Sequence, residues 1–394
     1  MAKLSSMTVA GMMSGTSADG IDVALVRIAP RRGGLAMEML AHRAFAFPRP
    51  LRAAILGAMN AASISAAELA RLNWRLGLAY ADALSETIRN TGIHPDLAGC
   101  HGQTIYHQGT PAPYAGRRFT CTWQLGEPAL IATACGVPVV SNFRPMDMAL
   151  GGQGAPLVPL FDYVYFAHPK RARVLQNIGG IGNMTVIPAG APQEKVIAFD
   201  TGPGNMVIDA LMQKLFGKPY DRDGRTAQKG TPLPEVVVPL LKEKFFRQPP
   251  PKSAGREQFG ADYAARLLAA CRKKSRKPED AIATATALTA ESIWHAFHRW
   301  VNPLTKPAAV DFIASGGGAH NRYLLKALNT LLSHYNCTVI TSEALGLPAS
   351  MKEAAAFALL AYQTWNHRPG NVPSATGASR PAILGQITYA KLSS

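Results

Sequence analysis

The sequence predicts an α/β protein with two domains, and three observations carry that expectation. A strand–turn–strand–strand pattern followed by alternating helices and strands runs through the first half of the chain and again through the second, which is how layered α/β domains read in sequence. The 394 residues exceed the ~150 residues of one typical domain. The composition is 47% hydrophobic and 17% charged. Such a chain has enough apolar material for large cores, which excludes intrinsic disorder, collagen and coiled coil as descriptions of the whole. The halves share element order rather than residue identity. The expected boundary lies near Ser141–Pro159, with a cleft between the domains.

Taken in order, Thr8–Met12, Ile21–Ile28 and Leu35–Phe47 read as strands separated by glycine-rich turns,. Ser65 followed by Glu68 is a capping-box signal. It should open a long helix ending near Gly92, where glycine accepts the left-handed turn. Leu97–Cys100 and Phe119–Gln124 read as strands, Pro128–Cys135 as a helix and Val137–Ser141 as a strand. The pattern then restarts. Strands are expected at Arg173–Ile178, Asn183–Ile187 and Val196–Phe199, and helices at Asn205–Phe216, Leu233–Phe246, Tyr263–Cys271 and Pro278–Trp300. Strand Val310–Ala314, helix Asn321–Ser333, strand Thr338–Thr341 and helix Met351–Trp365 complete the second half.

Lys and Arg number 41 against 25 Asp and Glu, a formal charge of +16. That charge suits anionic partners or simply a solvated basic surface. The densest basic run, Arg272–Lys277, holds no aromatic residue. Single-stranded nucleic-acid grooves pair positive charge with stacking rings, so this run reads as an exposed loop and no nucleic-acid partner is expected. The five cysteines are an odd number without a CxxC spacing. They read as reduced thiols of a cytoplasmic protein rather than as a disulfide framework or zinc site. No run of ~18 apolar residues marks a membrane span.

Three glycine turns can carry chemistry. Ser14-Gly15-Thr16-Ser17-Ala18-Asp19-Gly20-Ile21 places two glycines, three hydroxyls and an acid in one hairpin. Such a turn can aim N–H groups and hydroxyls at phosphate oxygens, although an ordinary polar turn has the same composition. It is not a P-loop, because no Gly-Lys-Ser/Thr follows. A second turn containing Gly179 and Gly180 occupies the matching place in the second half. Gly316-Gly317-Gly318 precedes a predicted helix, where a helix N-terminus can meet an anion. Together the three fit a nucleotide clamped between two domains.

Asp200 ends the strand Val196–Phe199 and precedes Thr201–Asn205. An acid there faces the usual crevice of an α/β sheet and can act as a general base; it can equally cap the following helix. His101, Gln103 and His107 lie in a loop without the accompanying acids or thiols of a metal site. They read as satisfied loop residues or, for His101 and Gln103, as substrate contacts. His295 and His298 read as surface residues. Glu353 near a helix start complements the helix dipole.

Taken together these segments resemble the anhydro-N-acetylmuramic acid kinases, of the actin, hexokinase and Hsp70-like superfamily. The resemblance rests on GMMSGTSADGID (Gly11–Asp22), HGQTIYH (His101–His107), QLGEPALIA (Gln124–Ala132), FRPMDMALGGQGAPLVP (Phe143–Pro159), NIGGIGNMT (Asn177–Thr185), FDTGPGN (Phe199–Asn205), DRDG (Asp221–Gly224), KSAGREQF (Lys252–Phe259) and SGGGAHN (Ser315–Asn321), with Glu353–Ala358 and Gly370–Leu384. It implies two RNase H-like domains flanking an ATP- and sugar-binding cleft. Residues 1–141 with 373–394 would form the phosphate-hairpin domain, and 142–372 the domain carrying the catalytic acid and the adenosine-side loop.

The resemblance also implies that ATP phosphorylates O6 of 1,6-anhydro-N-acetylmuramic acid while water opens the anhydro bridge, in murein recycling. Asp200 would be the base. The Ser14–Ile21 turn would hold ATP phosphates with Gly179 and Gly180, Gly316–Gly318 would face adenosine, and Mg2+ would bridge phosphates. His101, Gln103, Arg144, Asn205 and Glu353 would bind the sugar, with Arg144 suited to its lactyl carboxylate. A homodimer is also implied. One departure is Asn142, where the family usually has Asp. Competing readings are a kinase for another anhydrosugar, such as levoglucosan, and an actin- or Hsp70-like ATP-binding protein without sugar chemistry.

Overall fold

Strand β1 (Met7–Ser14) is buried along nearly its whole length, as a strand covered on both faces must be. In the computed structural model, which describes residues 5–390, it lies in the first of two units. That unit comprises Met1–Tyr165 and Ser350–Ser394, and the second comprises Phe166–Ala349.

In the first unit β2 (Gly20–Arg31) and β3 (Gly34–Ala46) pair antiparallel on one side of β1. On the other side β4 (Leu97–Tyr114) runs parallel to β1, β5 (Arg117–Leu125) folds back along β4, and β6 (Val139–Ser141) extends the sheet parallel to β4. The short strand Gln386–Thr388 closes the β6 edge. In the second unit β7 (Arg171–Ile178), β8 (Ile181–Ile187) and β9 (Ile197–Pro203) form an antiparallel trio. There β10 (Ala309–Ser315) and β11 (Cys337–Thr341) run parallel to β7. Leaving aside the excursion β5 and the edge strand Gln386–Thr388, both sheets have the order 3-2-1-4-5 counted from each unit's first strand. The expected duplication of an RNase H-like plan is therefore present in the topology.

Helices cover both faces of the first sheet. The Ser65 hydroxyl accepts from the Glu68 N–H, and the helix Ala66–Thr91 ends at Gly92 with φ 68°, both as the local signals require. Its residues Leu72, Leu76, Tyr80, Leu84 and Ile88 pack on Met12, Val23, Leu25 and Cys100, an apolar stripe at helical spacing. On the opposite face the helix Lys352–Trp365 lies directly on the strand backbones. A Cβ at Gly11 would stand 1.8 Å from the Ala354 carbonyl oxygen, and one at Gly99 would stand 2.4 Å from that of Phe357. This contact places the helix in the first unit. The observed divisions at Tyr165/Phe166 and Ala349/Ser350 thus differ from the expected 141/142 and 372/373.

In the second unit Val174, Val186 and Phe312 of the sheet pack with Ile293, Phe297, Leu324 and Leu328. A neighbouring core joins Val207, Ile208 and Leu211 to Phe246, Phe259, Leu267 and Leu288. Some elements depart from expectation. The helix foreseen at Leu233–Phe246 is two pieces, Pro234–Leu241 and Lys244–Arg247, the first containing Pro239, which cannot donate to a helical hydrogen bond. The helix from Pro278 is regular to Ala296 and then widens into a π turn over Phe297–Val301. β4 runs on to Tyr114 because β5 pairs with its outer half. The helix Arg49–Ala58 was not foreseen. Lys273, Lys274, Arg276 and Lys277 of the basic run are exposed, as are His295 and His298. Among the described residues no helix is long and apolar enough to cross a membrane.

Candidate active site

The Ser14–Ile21 hairpin joins β1 to β2. Its base is fixed by Ser14, Ala18 and Ile21, all buried, while Thr16, Ser17 and Asp19 are exposed. Ala18 takes φ 52°, and its N–H donates to the Gly15 carbonyl at 3.1 Å. Gly20 has no room for a side chain, because a Cβ would lie 2.2 Å from the Phe45 carbonyl oxygen. Two side chains brace the turn from distant positions. Ser14 Oγ donates to Gln103 Oε1 at 2.6 Å, and Gln103 Nε2 donates to the Gly15 carbonyl at 3.2 Å. Arg52 donates to the carbonyls of Ala18 (3.1 Å) and Ser17 (3.4 Å) and to Asp19 Oδ1 (3.1 Å). Gln103 is therefore a buried buttress of the hairpin, and the exposed Thr16 and Ser17 hydroxyls are the groups open to an oxyanion.

Arg144 opens the short helix Arg144–Ala149. Its Nε and Nη2 both donate to His101 Nε2, at 3.0 and 2.8 Å, and its Nη1 donates to the Gly154 carbonyl at 2.6 Å. His101 is only 3% exposed and packs on Phe357 with ring centroids 4.6 Å apart. Burial, and then the Arg144 charge, hold its pKa well below the usual histidine value, so the ring is neutral. Burial pulls Arg144 down to about 10 against the opposing pull of Glu353 and Asp147, and the group stays charged. Burial, with the Asp22 charge, raises the Glu353 carboxyl above the ordinary glutamate value, while the Lys352 and Arg144 charges act to lower it. Asp147 is fully buried. It accepts from Asn371 Nδ2 (2.8 Å), Thr376 Oγ1 (2.7 Å) and the Gly154 N–H (2.8 Å), so it fixes the backbone that holds Arg144. Asn142 takes φ 57°, a conformation asparagine tolerates, and its amide donates to Gln386 Oε1 at 3.4 Å.

In the second unit Asp200 lies in the middle of β9, not past its end as expected, because the strand keeps pairing with β8 as far as Pro203. Asn183 Nδ2, on the neighbouring β8, donates to its Oδ1 at 2.9 Å, and the Ala254 N–H donates to its Oδ2 at 2.8 Å. The Asp200 N–H donates to the Lys252 carbonyl at 2.9 Å, tying the strand to the segment before Ala254. Burial raises the Asp200 carboxyl above the ordinary aspartate value, while Asn183, Ala254 and the Lys252 charge act to lower it. Lys252 is drawn down to about 8, chiefly by burial. Its ammonium donates to the Phe245 carbonyl at 3.0 Å and sits 4.5 Å from that ring centre. The carboxyl of Asp200 does not cap the next helix, whose first N–H groups go elsewhere. The N–H of Asn205 donates to the Gly179 carbonyl at 2.7 Å, and those of Gly204 and Met206 donate to the Gly180 carbonyl.

The third glycine loop lies against this turn. Gly316 takes φ +79°, and a Cβ there would stand 2.4 Å from Asn177 Oδ1; a Cβ at Gly318 would stand 2.3 Å from Ile178 Cγ2. Asn205 bridges the two loops, donating from Nδ2 to the Ile178 carbonyl at 3.2 Å. Beside it opens a cavity of about 450 Å³ whose lining includes Asn205, Asp209, Tyr220, Asp221, Gly317 and His320, a size suited to a small ligand. Asp221 accepts from the N–H groups of Thr226 (2.8 Å) and Ala227 (2.9 Å), and burial with the Asp221 charge raises Asp209 to about 6. Asn205, expected beside a sugar, is thus placed on the glycine-loop side. Among the described residues no three His, Cys, Asp or Glu side chains gather as a metal cage.

Arg52, Asp147 and Asn183 were not singled out by sequence reasoning. Asn183 falls inside the segment Asn177–Thr185, and only the β8–β9 register of the structure sets it opposite Asp200.

A family model described as "Anhydro-N-acetylmuramic acid kinase" matches residues 7–390. A Salinibacter ruber protein of that name is 46% identical over 97% of this chain and 96% of its own length. A Bacillus cereus protein of the same name is 43% identical over 97% of this chain and 99% of its own. Among solved structures, the activator of the 2-hydroxyisocaproyl-CoA dehydratase from Clostridium difficile with bound ADPNP aligns at a TM-score of 0.42 and 11% identity, covering 91% of this chain and 95% of that one.

Proposed function

The chain belongs to the anhydro-N-acetylmuramic acid kinase family, and from that membership we propose that it converts 1,6-anhydro-N-acetylmuramic acid and ATP, with water, into N-acetylmuramic acid 6-phosphate and ADP. The setting is peptidoglycan recycling and amino sugar catabolism in the cytoplasm. The observation that carries the mechanism is the Asp200 carboxyl, raised by burial yet held in place by Asn183 and Ala254.

O6 of the substrate is locked in an ether and has no proton to lose. Asp200 therefore takes a proton from water, and the water oxygen bonds to the anomeric carbon. The C1–O6 bond breaks, leaving its electron pair on O6. O6 then bonds to the γ-phosphorus as the bridge to ADP breaks. A base with a raised pKa takes up the water proton more readily than an ordinary aspartate.

The exposed Thr16 and Ser17 hydroxyls and the backbone of the braced hairpin receive ATP phosphate oxygens. The Gly316–Gly318 loop with Asn205 and the adjoining cavity receives the adenosine side. Arg144 pairs with the lactyl carboxylate, and Glu353 contributes to the sugar site. Bound magnesium would supply positive charge to offset that of the ATP phosphates held at this hairpin.

The test is mass spectrometry of the product formed in ¹⁸O water. Label at C1 together with phosphate on O6 is expected, and label absent from the sugar overturns the ring-opening step. In the same assay Asp200→Asn should lower kcat by about 10²–10⁴-fold, the usual contribution of a general base.

A further inference from the structure

Arg144 spends three of its five N–H donors inside the protein: two on His101 Nε2 and one on the Gly154 carbonyl. Arginine has no acceptor, so His101 Nε2 must be the acceptor of both, and its ring hydrogen is therefore on Nδ1. The histidine is 3% exposed and lies against Phe357, which leaves it no surface for a sugar. Arg144 is itself only half-buried. On its other flank Gly154 is pinned by Asp147, whose carboxylate is fixed by Asn371 and Thr376.

We propose that His101 is a positioning residue. As a neutral double acceptor it clamps the Arg144 guanidinium so that the two remaining N–H groups meet the carboxylate of an acidic anhydrosugar, and it thereby sets the preference for carboxylate-bearing over carboxylate-free substrates. This rests on the reading of Arg144 as the carboxylate partner. A planar guanidinium binds a carboxylate well only when its plane is fixed. A long side chain freed from its clamp must lose rotamer freedom at each binding event.

The experiment compares His101→Leu, His101→Asn and His101→Gln with the wild type on two sugars: 1,6-anhydro-N-acetylmuramic acid, and 1,6-anhydro-N-acetylglucosamine, which lacks the lactyl carboxylate. Glutamine can place an oxygen near the former Nε2; leucine offers no acceptor and asparagine is too short. Leucine and asparagine should raise KM for the lactyl sugar about 10–100-fold, the range of a hydrogen bond to a charged group. The KM for ATP and that for the carboxylate-free sugar should stay within about 3-fold, and glutamine should restore most of the loss.

Equal losses on both sugars, or no loss with either variant, overturn the proposal. Melting curves identify a variant that fails to fold, and asparagine then stands in for leucine. If the wild type itself treats both sugars alike and Arg144→Lys changes neither KM, it is the Arg144 reading that fails.

Discussion

Asp200 illustrates how a common side chain becomes a reagent through its neighbours. Desolvation raises its pKa, and the Asn183 and Ala254 donors with the Lys252 charge oppose that rise. The ionised form must be the base, so kcat/KM should fall as pH drops through this pKa. Asn183→Ala removes a donor that stabilises the ionised form and so raises the pKa further. The acid limb of the pH profile, followed between about pH 4 and 8, should therefore shift to higher pH, and an unmoved limb would show that Asp200 does not set it. Asp200 was legible in sequence because an acid after an apolar strand and before a glycine-rich stretch is a local pattern, although β9 runs on past it to Pro203. Arg52 and Asp147 were not. Arg52 meets the hairpin from 33 to 35 positions away, and Asp147 meets Asn371 and Thr376 across 224 and 229 positions. Nothing in the residues near either one reports those partners.

Elements whose ends are set by local chemistry were read closely. The helix Ala66–Thr91 begins after a serine cap and stops at a left-handed glycine, and Pro128–Cys135 runs between Glu127 and Gly136. Where tertiary pairing decides, local reading fell short. β4 continues past its glycines because β5 lies beside it, and the turn at Phe297–Val301 widens within an unbroken apolar pattern. The helix Lys352–Trp365 was found, but its placement was not, because Gly11 and Gly99 announce only that something comes close. Gly11→Ala and Gly99→Ala should each destabilise the protein by about 1–3 kcal/mol or more, the cost of overpacking a filled site. Urea denaturation followed by far-ultraviolet circular dichroism measures this. Gly92→Ala, at an open left-handed turn, should cost only its backbone strain, about 1 kcal/mol.

Over the whole molecule, each unit has its own sheet and its own apolar clusters, and they differ in continuity. The second unit is one uninterrupted stretch, Phe166–Ala349, whereas the first needs both Met1–Tyr165 and Ser350–Ser394. A fragment spanning 166–349 should therefore melt cooperatively by itself, and one spanning 1–165 should not, since the backbone face of β1 and β4 would lose the helix that covers it. Calorimetry of the two fragments distinguishes these outcomes, and a cooperative transition in the shorter-reaching N-terminal piece would contradict the account. Element order revealed two repeats, but not which repeat the segments at 142–165 and 350–372 complete, because that depends on contacts across the length of the chain.

The split of the first unit also sets a timetable for the nascent polypeptide. Its opening strands leave the ribosome first yet must wait for the final segment to be translated before their exposed glycine face is sealed, while the stretch made in between can already have closed around its own sheet. The part synthesised earliest is the part finished last, and the interval during which it stands uncovered is when chaperones would have most reason to hold it.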